Sequence, residues 1–374
     1  MPEGDLAARR GRLTDAQRAL LERRLKGSTG SAAAEETEAI PRREGSGPAP
    51  LSLAQERVWW FARRHPESRV GNVYHAIGLT GPLAREALRS ALAALVARHE
   101  VLRTRFPEVD GAPVAIASGP PPRLPMVDLA ALPPAPRTEE GLRAIAELAA
   151  PPFDLERGPV LRTALLARGA RENALALAVH HIAIDGWSLA LLANEIAALY
   201  EAFVSGRPPA LPEPPLQAAD FASWQRRQIA TGKLEDELSW WCERLSGAEI
   251  ARPPLWPRRQ GAAGGRVALN LDAGRAEALR AFARAERATP FQMILAAYQA
   301  VLGRRFGIDD VIVGTPFSLR GRPEVARLVG FLLNLLTLRT DLSGNPTFRQ
   351  ALDRTRETAL GAFARREVPF ELLA

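Results

Sequence analysis

Two adjacent histidines, an aspartate and a glycine stand together in the heptad His180-His181-Ile182-Ala183-Ile184-Asp185-Gly186. Histidine has the unperturbed side-chain pKa nearest neutrality, so it can take or give a proton during turnover. Asp185, four residues beyond His181, can fold back toward the backbone of the turn. Gly186 leaves room where a β-carbon would intrude on a substrate. The combination predicts a proton-handling site. A lone histidine at a strand end is more often a satisfied core residue, but an adjacent pair followed at fixed spacing by Asp-Gly is a rarer arrangement. A metal is not expected: neighbouring strand residues point to opposite faces, and the single cysteine, Cys242, leaves no Cys/His cluster.

The flanking residues say what must hold this group. The apolar run Ala174-Leu175-Ala176-Leu177-Ala178-Val179 reads as a buried strand, and Trp187-Ser188-Leu189-Ala190-Leu191-Leu192 opens an amphipathic helix. The histidines therefore sit on a strand-to-helix turn. Further helices are expected at 84–99, 218–229, 234–245 and 290–306. Strands are expected at 160–167, 311–314 and, fully buried, 329–338. Pro-rich loops at 119–125, 132–136 and 207–215 break these elements. Residues 13–26 read as a short helix with Thr14 and Gln17 as a capping box. Residues 28–49, rich in Gly, Ser, Ala, Glu and Pro, read as a flexible linker.

A chain of 374 residues is too long for one small core and suggests two lobes. With 47% hydrophobic and 24% charged residues it is ordinary for a soluble globular protein. One cysteine excludes an internal disulfide framework and fits a reducing cytoplasm. The N-terminus lacks the apolar core of a signal peptide, and no stretch is expected to reach the roughly twenty apolar residues of a membrane span. The net charge of +7 invites a nucleic-acid reading. The arginines, however, are spread along the chain among acids rather than gathered on one face with aromatics, so no nucleic-acid partner is expected.

Several motifs in order resemble the condensation domains of nonribosomal peptide synthetases. The heptad is the most characteristic. Leu51-Ser52-Leu53-Ala54-Gln55-Glu56-Arg57-Val58-Trp59 resembles the opening motif, and Arg98-His99-Glu100-Val101-Leu102-Arg103-Thr104-Arg105-Phe106 the second. Phe153-Asp154-Leu155 with Gly158-Pro159 resembles the approach to the active-site strand. Asp220-Phe221-Ala222 with Trp224 resembles the fourth motif, Gly330-Phe331-Leu332-Leu333-Asn334 the fifth and Val368-Pro369-Phe370-Glu371 the sixth. Leu335 stands where the fifth usually has threonine, and Arg365-Arg366-Glu367 replaces the usual residues ahead of the sixth.

The resemblance implies an α/β fold, layered as α+β, with two chloramphenicol acetyltransferase-like lobes in a V and an active-site tunnel between them. It divides the chain into an N-terminal basic segment with a linker or docking helix (1–27), a flexible linker (28–49), an N-terminal lobe (50–215) and a C-terminal lobe (216–374). The family normally continues beyond the sixth motif, so the second lobe is expected to be incomplete.

The implied reaction is attack by an acceptor's α-amine on a donor thioester. Both substrates would be delivered on the 4'-phosphopantetheine arms of upstream donor and downstream acceptor peptidyl carrier domains, with an adenylation domain in the same assembly line. The chain itself would bind no cofactor. By resemblance His181 is the base or positioning residue, His180 holds the local backbone, and Gly186 allows close approach and places an N–H near the reacting carbonyl. Asp185 pairs with Arg103, with Arg98 as further support. Asp220 and Trp224 brace the lobe contact, while Asn334, Ser188 and Trp187 line the substrate tunnel. Two other readings stay open: a stand-alone acyl-CoA-dependent acyltransferase of the same superfamily, and a truncated, inactive docking domain.

Overall fold

The structure, a computed structural model, describes residues 39–45, 47–248 and 267–373, of which Arg42 onward form one unit. The helix expected at 13–26 lies outside these residues.

The first lobe is built on a sheet of order β2–β8–β7–β6, comprising β2 (Asn72–Thr80), β8 (Glu172–His180), β7 (Leu161–Ala167) and β6 (Met126–Asp128). Pairing is antiparallel except between β6 and β7. Residues Leu175–Val179 of β8 are buried without alternation, because both sheet faces are covered. Helix α3 (Pro134–Ala149) packs against β2, β7 and β8. Apolar side chains of α2 (Arg85–Arg98) and α4 (Gly186–Ser205) share the core with β8.

A smaller sheet joins β1 (Ala49–Pro50), β3 (Thr104–Arg105), β4 (Glu108–Val109) and β5 (Ala112–Ala117). Helix α1 (Leu53–Arg64) starts from a reciprocal cap in which Ser52 and Gln55 satisfy each other's backbone N–H groups. Residues Arg42 and Arg43, near the end of the segment read as a linker, are anchored: Arg42 donates to the Pro215 carbonyl at 2.8 Å and the Arg43 N–H to Asp220 at 3.0 Å.

Helix α4 corrects one expectation. At 20 residues and a mean hydropathy of 1.2 it is long and apolar enough to cross a membrane. It is instead a core helix, with Leu192, Ile196 and Leu199 buried and Glu195 ion-paired inside the lobe.

Beyond it, α5 (Ala218–Ala230) and α6 (Glu235–Leu245) lead to a second layer. There α7 (Ala273–Ala285), α8 (Pro290–Phe306) and α9 (Phe348–Ala364) accompany the antiparallel pair β9 (Asp310–Ser318) and β10 (Leu333–Asp341). Along β10 the residues Asn334, Leu336, Leu338 and Thr340 face inward, the period-2 pattern of a half-covered sheet. The strand expected from residue 329 begins only at Leu333. Val329–Leu332 is buried because it docks on the first lobe, not because it is paired in a sheet.

Gln299 of α8 ties the second layer together: it donates to the Leu338 carbonyl at 3.2 Å and to Thr340 at 3.1 Å, and accepts from Thr355 at 3.0 Å. Leucine at 299 removes a partner from each of the three, leaving Thr340 only a long contact to Thr358 at 3.4 Å. We expect Gln299→Leu to cost about 1–3 kcal/mol in urea unfolding, with the helical circular-dichroism signal retained.

Candidate active site

Strand β8 delivers His180 opposite Asn72 of β2, and the chain then leaves the sheet. The turn closes through the Ala183 N–H to the His180 carbonyl at 3.0 Å. Ile182, Ala183 and Ile184 are wholly buried and fix the turn by packing. Gln55 adds a tie from α1, donating to the Ile182 carbonyl at 3.0 Å. The helix cap and the histidine turn are thus one hydrogen-bonded unit.

Because the strand ends at His180, its alternation does not extend to His181. The expectation that the two rings point to opposite faces is corrected: both line a single cavity of about 370 Å³. Its walls come from α1 (Arg57, Val58, Phe61, Ala62) and the following loop (Val70, Gly71). Such a volume suits part of a small-molecule ligand. A larger cavity of about 480 Å³ lies in the second layer near Arg304 and Asn345, but no histidine or carboxylate pair converges there. The histidine cavity is the one on which two adjacent imidazoles converge.

Each ring is held in one tautomer. The His181 backbone N–H donates to the Gly71 carbonyl at 2.7 Å, and its ring is fixed by Nδ1, 2.6 Å from the Ile184 carbonyl. A carbonyl can only accept, so the proton sits on Nδ1, and in the neutral ring Nε2 carries a lone pair. Phe331, from the other side of the lobe joint, packs edge-on against this ring at 4.9 Å between centroids. His180 is the reverse case: its Nδ1 accepts from the Ile182 N–H at 3.2 Å. Burial, reinforced by the neighbouring His181, pushes the His180 pKa down to about 4. His180 is therefore neutral at pH 7.

Asp185 begins α4 as its N-cap, with Oδ1 accepting from the Ser188 N–H at 2.8 Å. Its ion-pair partner is not Arg103 but Arg320, in the segment after β9. Arg320 donates from Nη2 to Oδ1 at 2.9 Å and from Nε to Oδ2 at 3.1 Å. Both side chains are nearly inaccessible, at 4% and 1% exposure. Burial lowers the Arg320 pKa and Asp185 opposes that shift. Arg320 also donates to the Val325 and Leu328 carbonyls, so its charge is fully surrounded by acceptors. Arg103 instead donates to the Ala117 carbonyl and stays within the β5 region.

The other sequence candidates are placed as follows. Ser188 is wholly buried, its hydroxyl 2.8 Å from Asp185 Oδ1 and accepting from the Gly330 N–H at 3.1 Å. It braces the joint and does not line a tunnel. Asn334 is likewise corrected: it donates to the Arg366 and Val368 carbonyls at 2.8 and 2.6 Å and accepts from the Phe370 N–H at 3.0 Å. A buried amide with those partners clamps residues 366–370 to β10. Trp187 is exposed and donates to the Ala326 carbonyl at 3.0 Å. At Gly186 a β-carbon would meet no protein atom within 4 Å, so the space before the helix is open.

Arg98 and His99 converge on buried Glu195 of α4, at 3.0 and 2.7 Å. Burial alone would raise the Glu195 pKa, but the His99 and Arg98 contacts outweigh it and the net shift is downward. Asp220 accepts from the Gln217 and Arg43 N–H groups at the start of α5. Trp224 packs under the Arg322 guanidinium at 5.0 Å. Among the described residues no group of three or more His, Cys, Asp or Glu could hold a metal.

Arg320, Gln55, Phe331 and Gly71 are site residues that the sequence does not assign. Gln55 and Phe331 stand inside quoted motifs, which is the available signal. Arg320 lies 135 residues from Asp185, and no local spacing marks it.

A family model for the condensation domain matches residues 46–374. A linear gramicidin synthase polypeptide of Brevibacillus parabrevis is 41% identical over 332 residues, covering 87% of this chain and 6% of that protein. Phosphinothricin tripeptide synthetase PhsC of Streptomyces viridochromogenes is 41% identical over 375 residues, covering 99% of this chain and 34% of its own length. The chain therefore spans a small part of these relatives. The first condensation domain of the calcium-dependent antibiotic synthetase, solved with a substrate analogue, superposes with a TM-score of 0.72 at 25% identity, covering 87% of this chain and 76% of that one.

Two outcomes are expected. Asp185→Ala leaves the Arg320 charge buried without its counter-ion and should cost about 3–5 kcal/mol in denaturant unfolding, whereas Arg103→Ala should cost well under half of that. Equal losses in the two variants would contradict the pairing. The second concerns pH. The His180 pKa falls from 6.5 in the unfolded chain to about 4 in the fold, so between those values the unfolded state binds more protons. Stability should fall as pH drops from 6.5 toward 4, by up to about 3 kcal/mol from this group. Urea midpoints across that range should show the slope in the native protein and a shallower one in His180→Asn.

Proposed function

The chain belongs to the condensation domain family, and from that membership we propose that it forms an amide bond between two carrier-bound substrates. The acceptor's α-amine nitrogen attacks the donor's thioester carbonyl carbon; the C–N bond forms, the C–S bond breaks, and the pantetheine thiol leaves. The substrates arrive on 4'-phosphopantetheine arms of an upstream donor and a downstream acceptor carrier domain, with an adenylation domain in the same assembly line and a cytoplasmic setting. A thioester is already activated, so the protein's tasks are to align the two partners and to manage one proton.

The observation that carries the reading is the 2.6 Å contact between His181 Nδ1 and the Ile184 carbonyl, in a ring that lines the cavity. It leaves Nε2 as the acceptor for the proton that the amine loses, which is then returned to the departing sulfur. The turn needs no third residue to orient the imidazole, because the backbone does so. Asp185 acts one step removed, by holding the turn and α4 against Arg320.

The retained histidine pair favours this reading over an inactive docking domain, and the match across residues 46–374 favours it over a stand-alone acyl-CoA transferase. His181→Ala should lower amide formation between loaded carriers by at least about 100-fold while leaving the free energy of urea unfolding within about 1 kcal/mol of wild type. Wild-type turnover by that variant, followed by mass spectrometry of the acceptor carrier, would remove His181 from the mechanism.

A further inference from the structure

His180 carries a donor that the turn does not use. Its Nδ1 is occupied by the Ile182 N–H, so in the neutral ring the single proton lies on Nε2. Among the described residues Nε2 meets no acceptor, although the residue is only 5% exposed. Nε2 is not fully enclosed, so it opens on the cavity as a donor available to a bound molecule. The same ring lines the cavity that His181 lines. Gly71 makes the room: a β-carbon there would lie 2.2 Å from His180 Nε2. Phe153 packs edge-on against the ring with centroids 5.9 Å apart and restricts its rotation. Two consecutive residues thus present opposite hydrogen-bonding characters to one cavity, a lone pair from His181 and an N–H from His180.

We propose that His180 touches the substrate directly, its Nε2–H donating to the carbonyl oxygen of the thioester while His181 Nε2 receives the amine proton. The identity of that carbonyl rests on the amide-forming reading above. As the amine adds, negative charge grows on the carbonyl oxygen, and a fixed N–H donor in a partly dry cavity stabilises it more than it stabilises the ground state. Gly71 is then a positioning residue, there because any side chain would displace the donor.

Two isosteric replacements separate this role from backbone support. Asparagine places its Oδ1 where Nδ1 was, keeps the acceptor for the Ile182 N–H and removes the outer donor. Glutamine places an amide N–H near the former Nε2 and gives up the inner acceptor. In single-turnover amide formation between loaded carriers, His180→Asn should fold with a near-native urea midpoint and lose at least about 10-fold in rate. His180→Gln should be less stable yet faster than the Asn variant. A folded His180→Asn with wild-type rate would overturn the proposal and leave His180 as a backbone acceptor alone. If the Asn variant does not fold, the Gln variant decides: measurable turnover supports the donor, and a folded but inactive protein opposes it.

A second arm needs no turnover. An acyl-aminopantetheine, with a stable amide in place of the thioester, should bind His180→Asn about 2- to 10-fold more weakly than wild type by calorimetry. Equal affinities there would sink the donor role. Wild-type protein that binds this probe but forms no amide would instead strike at the proposed reaction.

Discussion

A charge pair with almost no access to water joins the two lobes beside the histidine turn. Asp185 and Arg320 come from segments 135 residues apart, and both are almost completely buried. Desolvating two charges is expensive, and mutual attraction offsets it only when the geometry is good and the remaining donors are satisfied. Both conditions hold: the contacts are bidentate, and the spare guanidinium N–H groups reach the Val325 and Leu328 carbonyls. The pair is therefore better understood as a device for specifying one arrangement than as a source of net stability. An apolar replacement could pack the same volume, but it would not cap α4 and catch the 319–332 segment at once.

The consequences run outward from that contact. Asp185 caps α4, which sets where the turn ends; β8 sets where it begins; and three buried apolar residues between them leave little freedom. Within that frame the histidine rings are oriented by backbone groups, His181 by Ile184 and His180 by Ile182. Backbone partners do not titrate, so ring orientation persists across the working pH range. Phe331 reaches His181 from the far side of the joint, so lobe docking and ring packing are coupled. At the cavity rim Arg57 donates to Glu371 at 2.6 Å, a second tie between the opening motif and the sixth.

The chain's sequence is most readable where periodicity is local. Helices 218–230, 235–245 and 290–306 and the histidine-bearing strand 172–180 appear within a residue or two of their expected bounds, because apolar spacing, caps and glycine stops act over short distances. The histidine pair is legible for the same reason: its signal is contained in seven residues. What the sequence conceals is long-range. The resemblance pairs Asp185 with Arg103, and only the fold shows that the partner is the distant Arg320. Ser188 and Asn334 read as substrate-facing because polar residues beside an active site suggest function; packing turns both inward to satisfy backbone groups. The apolar run at 329–332 mimics a strand, since burial against another lobe and burial in a sheet leave the same composition. The opposite-faces reading of the two histidines fails for a local reason: the strand ends at His180, and its alternation stops there.

The central claim is that the turn presents a bare Nε2 of His181 to the cavity, and the proton's position on that ring can be read directly. Nitrogen-15 NMR of histidine-labelled protein, with His181 assigned by comparison with a His181→Gln sample, distinguishes the tautomers through the two ring-nitrogen shifts. The expected result is that the neutral form of the ring carries its proton on Nδ1 and leaves Nε2 bare. A His181 ring carrying its proton on Nε2 would contradict it, because the group facing the substrate would then be a donor with no capacity to accept the amine's proton.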